Sequence, residues 1–343
     1  MAQMSIYNEL CGVIHVHFPI KKGKKFIPLI IEEGKRAHLN FIILTSHTPK
    51  KRKEKFSYLF DIEGYYNDML IIHGEELDER KKNHLIVIGE KKWLEKNIDE
   101  IDKKNNLLKL VAHPFGKHFL FLIKKDYKWE KWQNNFDGME IWSLLFNWVD
   151  KTKIYNIPFR YLKFPLNISS PIEKILKKWD LLNCERKVTG FAGLDIHALP
   201  FYFKIFDFKK IFRYKNVFKT LRNYIYLKEN LTGKFEEDKE KVLRAIKNGN
   251  LFFANDFLKI ASGFYFGEKD GKYVCGEEGK IGDIILIRNP IKTRTKLIRN
   301  GKIILDENII EKEIKIEEKG NYRVEVYFKE KNWIFSNNIY IRR

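Results

Sequence analysis

The chain has 343 residues and a mass of 41.2 kDa, more than one average domain and enough for a barrel of about 250 residues with a small domain attached. Hydrophobic residues make up 44%, an ordinary globular share that supplies a sizeable core. Lys and Arg number 65 against 45 Asp and Glu, a net charge of +20; the lysines are interleaved with Glu, Ile, Asn, Phe and Tyr, which suits a small anionic, phosphate-bearing ligand and argues against a nucleic-acid arm.

The three cysteines, Cys11, Cys184 and Cys275, are far apart and odd in number. That pattern excludes a disulfide framework or zinc ribbon and predicts buried, reduced thiols. With no signal-peptide pattern and no apolar run of about 18 residues, the expectation is a soluble cytoplasmic protein without membrane association.

From Gly12 to Gly193 the sequence repeats one event: a short apolar run of strand length ends in, or contains, a His, Asp or Glu. The runs are 13–17, 41–47, 69–76, 84–88, 108–113, 139–142 and 188–195. Helices separate several of them. The clearest spans 26–38, where Ile27, Ile30, Ile31 and Gly34 fall at helical spacing, ahead of the fully apolar Phe41-Ile42-Ile43-Leu44. Parallel strands joined in this way, each delivering a polar residue at its C-terminal end, build an active site on one face of an α/β barrel.

The stretch 199–231 interleaves Phe201, Tyr202, Phe206, Phe212, Tyr214 and other aromatics with lysines and arginines. Such a mixture can stack on single-stranded nucleic acid, but its helical spacing predicts packing over the outside of the barrel. An amphipathic helix follows over 236–248. After about Gly263 short alternating strands begin, and Asn300-Gly301 between Lys296-Leu297-Ile298 and Lys302-Ile303-Ile304-Leu305 signals a hairpin. Tyr322, Val324, Val326 and Phe328 alternate with Arg323, Glu325 and Tyr327, as in a strand with one buried face. The expected architecture is an α/β barrel with trailing helices over 1–260 and a small Ig-like β-sandwich over 261–343.

His15-Val16-His17 places two imidazoles on one face of a regular strand, where they can share a metal ion. His47, the pair Glu75 and Glu76, His113 before Pro114, and Asp195-Ile196-His197 follow later strand runs. Six of the nine histidines, His15, His17, His47, His84, His113 and His197, fall in these contexts, whereas His38, His73 and His118 are expected to serve packing or solvation. Imidazoles with a few carboxylates suit Zn, Mn or Fe, and two ions joined by a bridging carboxylate activate water for hydrolysis.

In this order the motifs resemble those of the PHP (polymerase and histidinol phosphatase) domain through most of the first 200 residues. The family's opening H-x-H-T-x-x-S-D-G looks like His15-Val16-His17-Phe18-Pro19-Ile20-Lys21-Lys22-Gly23, its T-D-H like Thr45-Ser46-His47 and its G-x-E like Gly74-Glu75-Glu76. A histidine ahead of the next apolar strand matches His84, the A-H-P matches Ala112-His113-Pro114, and the closing S-D-x-H resembles Leu194-Asp195-Ile196-His197. The tail segments Tyr322-Arg323-Val324-Glu325-Val326 and Trp333-Ile334-Phe335-Ser336-Asn337 resemble the C-terminal β domain of PHP proteins related to the CehA/McbA hydrolases.

The resemblance implies a distorted seven-stranded barrel, two or three divalent metal ions, and phosphoester hydrolysis by a metal-bridging hydroxide with His197 assisting proton transfer. His15, His17, Glu76 and Asp195 would hold the first metal, and Glu76 would bridge to a second bound by His84 and His113. His47 and His197 would face the third. This chain departs from the family at Phe18, Ser46 and Leu194, and at Lys22, which stands where a metal-binding Asp is usual and would either bind substrate phosphate instead or point to solvent within the run Lys21 to Lys25 while another carboxylate serves. Alternatives are a carbamate or carboxylic-ester hydrolase with the same metals, and a degenerate barrel that binds ligand or nucleic acid without turnover.

Overall fold

The computed structural model describes residues 7–49, 53–79, 82–120, 123–152, 154–196 and 213–342. Seven strands form a closed ring: β1 (Asn8–Val16), β2 (Phe41–His47), β3 (Met69–Glu79), β4 (Lys82–Ile88), β5 (Leu108–Val111), β6 (Gly138–Ser143) and β7 (Thr189–Ile196). Each pairs with the next in chain order, and β7 returns to β1. Their apolar runs are buried on both faces because helices cover the outside. Helix α1 (Gly23–Arg36) joins β1 to β2 and buries Ile27, Ile30 and Gly34. Later come α2 (Leu144–Asp150), α3 (Glu173–Glu185) and α4 (Phe235–Asn248).

The all-parallel expectation fails at one strand. β4 runs antiparallel to both of its neighbours. Glu79 at the end of β3 pairs with Lys82 at the start of β4, and a connection this short can only reverse the chain. His84 therefore lies near the beginning of its strand, yet reaches the same end of the barrel as residues at the ends of the others.

The sheet continues beyond the ring through β8 (Leu221–Leu227), β9 (Leu251–Asn255), β10 (Tyr265–Glu268), β11 (Ile284–Arg299), β12 (Lys302–Lys315), β13 (Gly320–Phe328), β14 (Lys331–Ser336) and β15 (Ile339–Ile341). β8 pairs antiparallel with the first half of β1, and β9 links β8 to β14. Strand alternation makes β9 a shared wall. Phe253 joins the barrel core and stacks on Phe335 at 5.6 Å, while Phe252 joins a second core that contains Trp333 and stacks on Tyr224 at 4.7 Å.

The hairpin expected at Asn300-Gly301 is present between β11 and β12, with φ of 50° and 79° at its two central residues. On β13, however, Arg323 and Glu325 are buried along with the apolar residues. Arg323 reaches Asp180 of α3 at 2.9 Å and also pairs with Glu325, so the supposed outer face packs on the barrel. Cys275 is buried as expected, but Cys184 at the end of α3 is exposed. Residues 197–212, which hold the first part of the aromatic and basic stretch, lie outside the described residues; Tyr214, Phe218, Tyr224 and Tyr226 of the remainder are buried. Among the described residues no helix is long and apolar enough to cross a membrane.

Where β8 and β9 meet, Arg222 lies 3.3 Å from the Asp256 carboxylate, to which the Tyr224 hydroxyl also donates. Burial outweighs both partners and raises the Asp256 pKa from 3.8 to about 6. A carboxyl raised in the folded state contributes stability at low pH that is lost as pH climbs through the folded value. Here the loss is about 3 kcal/mol, falling between about pH 4 and pH 6. Against the native protein, Asp256→Asn is therefore expected to gain up to about 3 kcal/mol in urea unfolding from about pH 4 to pH 7. A constant difference would show that the carboxyl is ionised throughout.

Candidate metal centre

The site is built where the barrel strands end, and its backbone is irregular there. Ile14 pairs with Gly193 and Val16 with Ile196, so β7 carries an extra residue opposite β1; β1 in turn carries one opposite β2. At these bulges His15 and Asp195 adopt φ of 66° and 47°, and His113 beyond β5 has φ of 28°. Side chains rarely occupy this region without cost, typically about 1–3 kcal/mol each, and such strain concentrates at functional sites. His15 and His17 converge, with ring centroids 4.9 Å apart, but a bulge brings them together where the sequence suggested a regular strand.

Glu76, fully buried on β3, is the centre of the cluster. Five imidazoles surround it. Its Oε1 lies 2.6 Å from His84 Nδ1, 3.2 Å from His113 Nε2 and 3.6 Å from His15 Nε2; its Oε2 lies 3.0 Å from His17 Nε2 and 3.1 Å from His47 Nδ1. Asp195 completes the group, with Oδ1 at 3.6 Å from His15 Nε2 and 3.5 Å from His17 Nε2. Despite these approaches, Glu76 Oε2 and His15 Nε2 make no hydrogen bond among the described residues. His84 Nδ1 and His113 Nε2 hydrogen-bond to Oε1, but a buried carboxylate oxygen and a buried ring nitrogen that converge without a partner fit a metal ion. Among the described residues three sets lie within ligating reach: His15, His17 and Asp195; His15, Glu76 and His113; and His17, His47 and Glu76.

Electrostatics follow from this crowding. Burial alone would raise Glu76, but His47, His84 and His15 hold it well below the usual carboxylate range. Burial raises Asp195 well above that range, and Glu76 and Glu140 add to the effect. Burial would lower His15, yet Glu140, Asp195 and Glu76 together hold it well above the ordinary imidazole value. His113 is lowered chiefly by burial. His47, whose outer edge reaches solvent, is lowered by dehydration of its inner face and by His17 and His84.

Glu140, in the middle of β6, is not among the residues that the sequence pattern singles out, although it lies inside the apolar run 139–142. It is fully buried and accepts from His15 Nδ1 at 2.8 Å and from the His113 backbone N–H at 3.2 Å. A glutamate embedded between Met139 and Ile141 was the available signal, since an isolated charge in a buried strand demands a partner. Glu75 faces away from the cluster, accepting from Thr48 and from the Leu94 N–H at 2.9 Å. Ser46 contacts His73 Nε2 at 3.1 Å, and His73 packs against Phe60 and Trp93, while His38 is exposed. Lys22 is exposed in the connection between β1 and α1. His197 and the side chain of His118 lie outside the described residues.

The fold and site together define an α/β barrel protein with a histidine and carboxylate cluster able to hold divalent metal. No family model and no curated protein matches the chain. Among solved structures it is similar to a two-domain protein containing a predicted PHP-like metal-dependent phosphoesterase from Bacteroides vulgatus ATCC 8482, at 14% identity and a TM-score of 0.45, covering 99% of this chain and 100% of that one. It is also similar to endonuclease Q in complex with a 27-mer duplex substrate carrying an abasic lesion at the active site, at 14% identity and a TM-score of 0.38, covering 70% and 57%. At these values neither likeness assigns an activity or a substrate.

Proposed function

We propose that this protein is a metal-dependent phosphoesterase acting on a small anionic phosphoester, the reading that the PHP-like motifs and the cluster around Glu76 jointly support. The observation that carries it is the convergence of five imidazoles on one buried carboxylate, in which Glu76 Oε2 and His15 Nε2 make no hydrogen bond among the described residues. His15, His17 and Asp195 would hold one ion, and Glu76 would bridge to a second beside His113 and His84. His47 and His197 would face a third position. Bound Zn, Mn or Fe supplies an activated water near neutral pH and positive charge for the leaving oxygen.

The chain's own residues do the rest. Glu140 accepts from His15 Nδ1 and so directs Nε2 of the same ring into the centre. Burial of Glu76, His113 and Asp195 excludes bulk water and strengthens every charge interaction with the substrate. His197 would pass a proton to the leaving oxygen. Residues 1–260 are read as the catalytic unit of a cytoplasmic enzyme, and 261–343 as an Ig-like cap of the CehA/McbA-related kind. The test is turnover by chelator-treated protein after adding Mn or Zn, across phosphomonoesters, aryl esters and carbamates. Phosphoester hydrolysis restored by metal is expected; preference for aryl esters or carbamates would overturn the proposal.

Lys22 occupies the place of a metal-binding Asp. Its ammonium cannot ligate a metal and would repel a third ion held by His47 and His197 alone. About two tightly bound ions per chain are expected by elemental analysis, with Lys22→Asp gaining affinity for a third and losing affinity for substrate. Three tight ions in the native protein would refute this role.

A further inference from the structure

One long strand of the C-terminal region is paired on a single side. β12 bonds to β11 along most of its length, and β11 pairs on its other flank with β10 and β13; among the described residues no strand pairs with the outer edge of β12. All of its 14 residues are exposed except the buried Ile309 and the half-buried Leu305, Lys312 and Ile314. Such an edge offers a row of unpaired N–H and C=O groups roughly 45 Å long, which proteins that stay single commonly interrupt with proline, clustered lysines or a shorter strand. Between Lys302 and Lys315 there is no proline or glycine, and three lysines stand against four carboxylates. In a chain of net charge +20 this strip is nearly neutral, so two copies can meet here without the repulsion they would feel elsewhere.

The side chains match a copy of themselves. Residues 305–309 run regularly against 293–297, and alternation turns Leu305, Glu307 and Ile309 toward the second core. Ile304, Asp306, Asn308 and Ile310 form the opposite row, in which Ile304 is 46% and Ile310 55% exposed. Two copies set antiparallel about Glu307 bring Ile304 opposite Ile310 of the second copy and Asp306 opposite its Asn308, whose amide can donate to the carboxylate. Each pair occurs twice, and Leu305 falls opposite Ile309 on the inner side. Glu307 meets its counterpart at the axis, where Lys312, 2.5 Å away within each copy, offsets the charge.

We propose that the outer edge of β12 is a dimer interface, paired antiparallel with β12 of a second copy of this chain about a two-fold axis at Glu307, so that the sheet continues from one subunit into the other. The proposal is independent of the reaction at the metal centre. By analytical ultracentrifugation the full chain is expected to be a dimer of about 82 kDa, twice the 41.2 kDa of one chain, at about 1–100 µM. Ile310→Lys is expected to weaken association by about thirtyfold or more, because each copy then sets an ammonium against Ile304. Ile304→Lys should act alike. Both side chains are exposed, so circular dichroism should stay native. Ile260→Lys, at a side chain 63% exposed but outside β12, should leave the dimer intact.

Cross-linking tests the register. In a Cys184→Ser background, Glu307→Cys at the axis is expected to oxidise to a covalent dimer with copper phenanthroline, whereas Lys315→Cys, roughly 50 Å from its counterpart in this pairing, is not. A monomer throughout the concentration range, an assembly larger than a dimer, a dimer that survives both lysine variants, or equal cross-linking from the two cysteines would each overturn the proposal.

Discussion

Glu76→Gln is expected to reduce bound metal to less than about one ion per chain and to lower phosphoester hydrolysis by roughly a thousandfold or more, with the fold intact. Glutamine keeps the volume of the side chain but removes the only charge that five imidazoles share. Its amide NH2 would also turn a donor toward ring nitrogens that need an acceptor or a cation. Neighbouring imidazoles hold the Glu76 carboxylate well below its usual range, so its charge stabilises the folded state at neutral pH, and the metal-free variant should melt lower than the metal-free native protein while keeping its circular dichroism. Asp195→Ala is expected to cause a similar loss of metal and turnover, since the carboxylate lies 3.5–3.6 Å from His17 and His15. Elemental analysis, circular dichroism and initial rates check both variants, and retention of metal and turnover in both would remove this cluster from the chemistry.

Gly193→Ala should be nearly as damaging, although it adds one methyl group. A Cβ at Gly193 would lie 2.4 Å from the Glu140 carboxyl carbon and 2.5 Å from its Oε1. Glu140 cannot give way freely, because it is buried and accepts from both His15 Nδ1 and the His113 N–H. Displacing it would turn His15 away from the centre. Stability should fall by about 1–3 kcal/mol, as for other overpacked cores, and metal affinity by about 10–100-fold. Glu140→Gln, which keeps the shape and removes the charge, is expected to weaken metal binding by a similar factor with less effect on melting. Should Gly193→Ala bind metal like the native protein, Glu140 would not be what orients His15.

Much of the centre is legible in the sequence because its candidate ligands sit at the boundaries of apolar runs. His47 ends the run that begins at Phe41, Glu76 follows Met69 to Ile72, and Asp195 closes the run from Val188. In a barrel those boundaries fall at one end of the ring, so a local pattern stood in for a spatial one. The same held for α1 and for the hairpin at Asn300-Gly301, where helical spacing and the left-handed turn preference act over a few residues.

What the sequence determined by itself was therefore local: which segments are strands or helices, where turns fall, and which polar residues terminate apolar runs. Tertiary structure decided the rest. The short connection after β3 reverses β4, but only pairing of β4 between β3 and β5 brings His84, from the start of its strand, to the end of the ring where the other strands finish. The bulge at Asp195 arises from pairing of β7 with β1, 180 residues away in the chain, and that at His15 from pairing of β1 with β2, and no local preference encodes them. Glu140 acquired its role only when β6 lay close enough for His15 and His113 to bond to it, and Arg323 became buried only against Asp180 of α3. In each case the deciding energy is a contact between distant segments, through hydrogen bonding of buried charge or strand pairing.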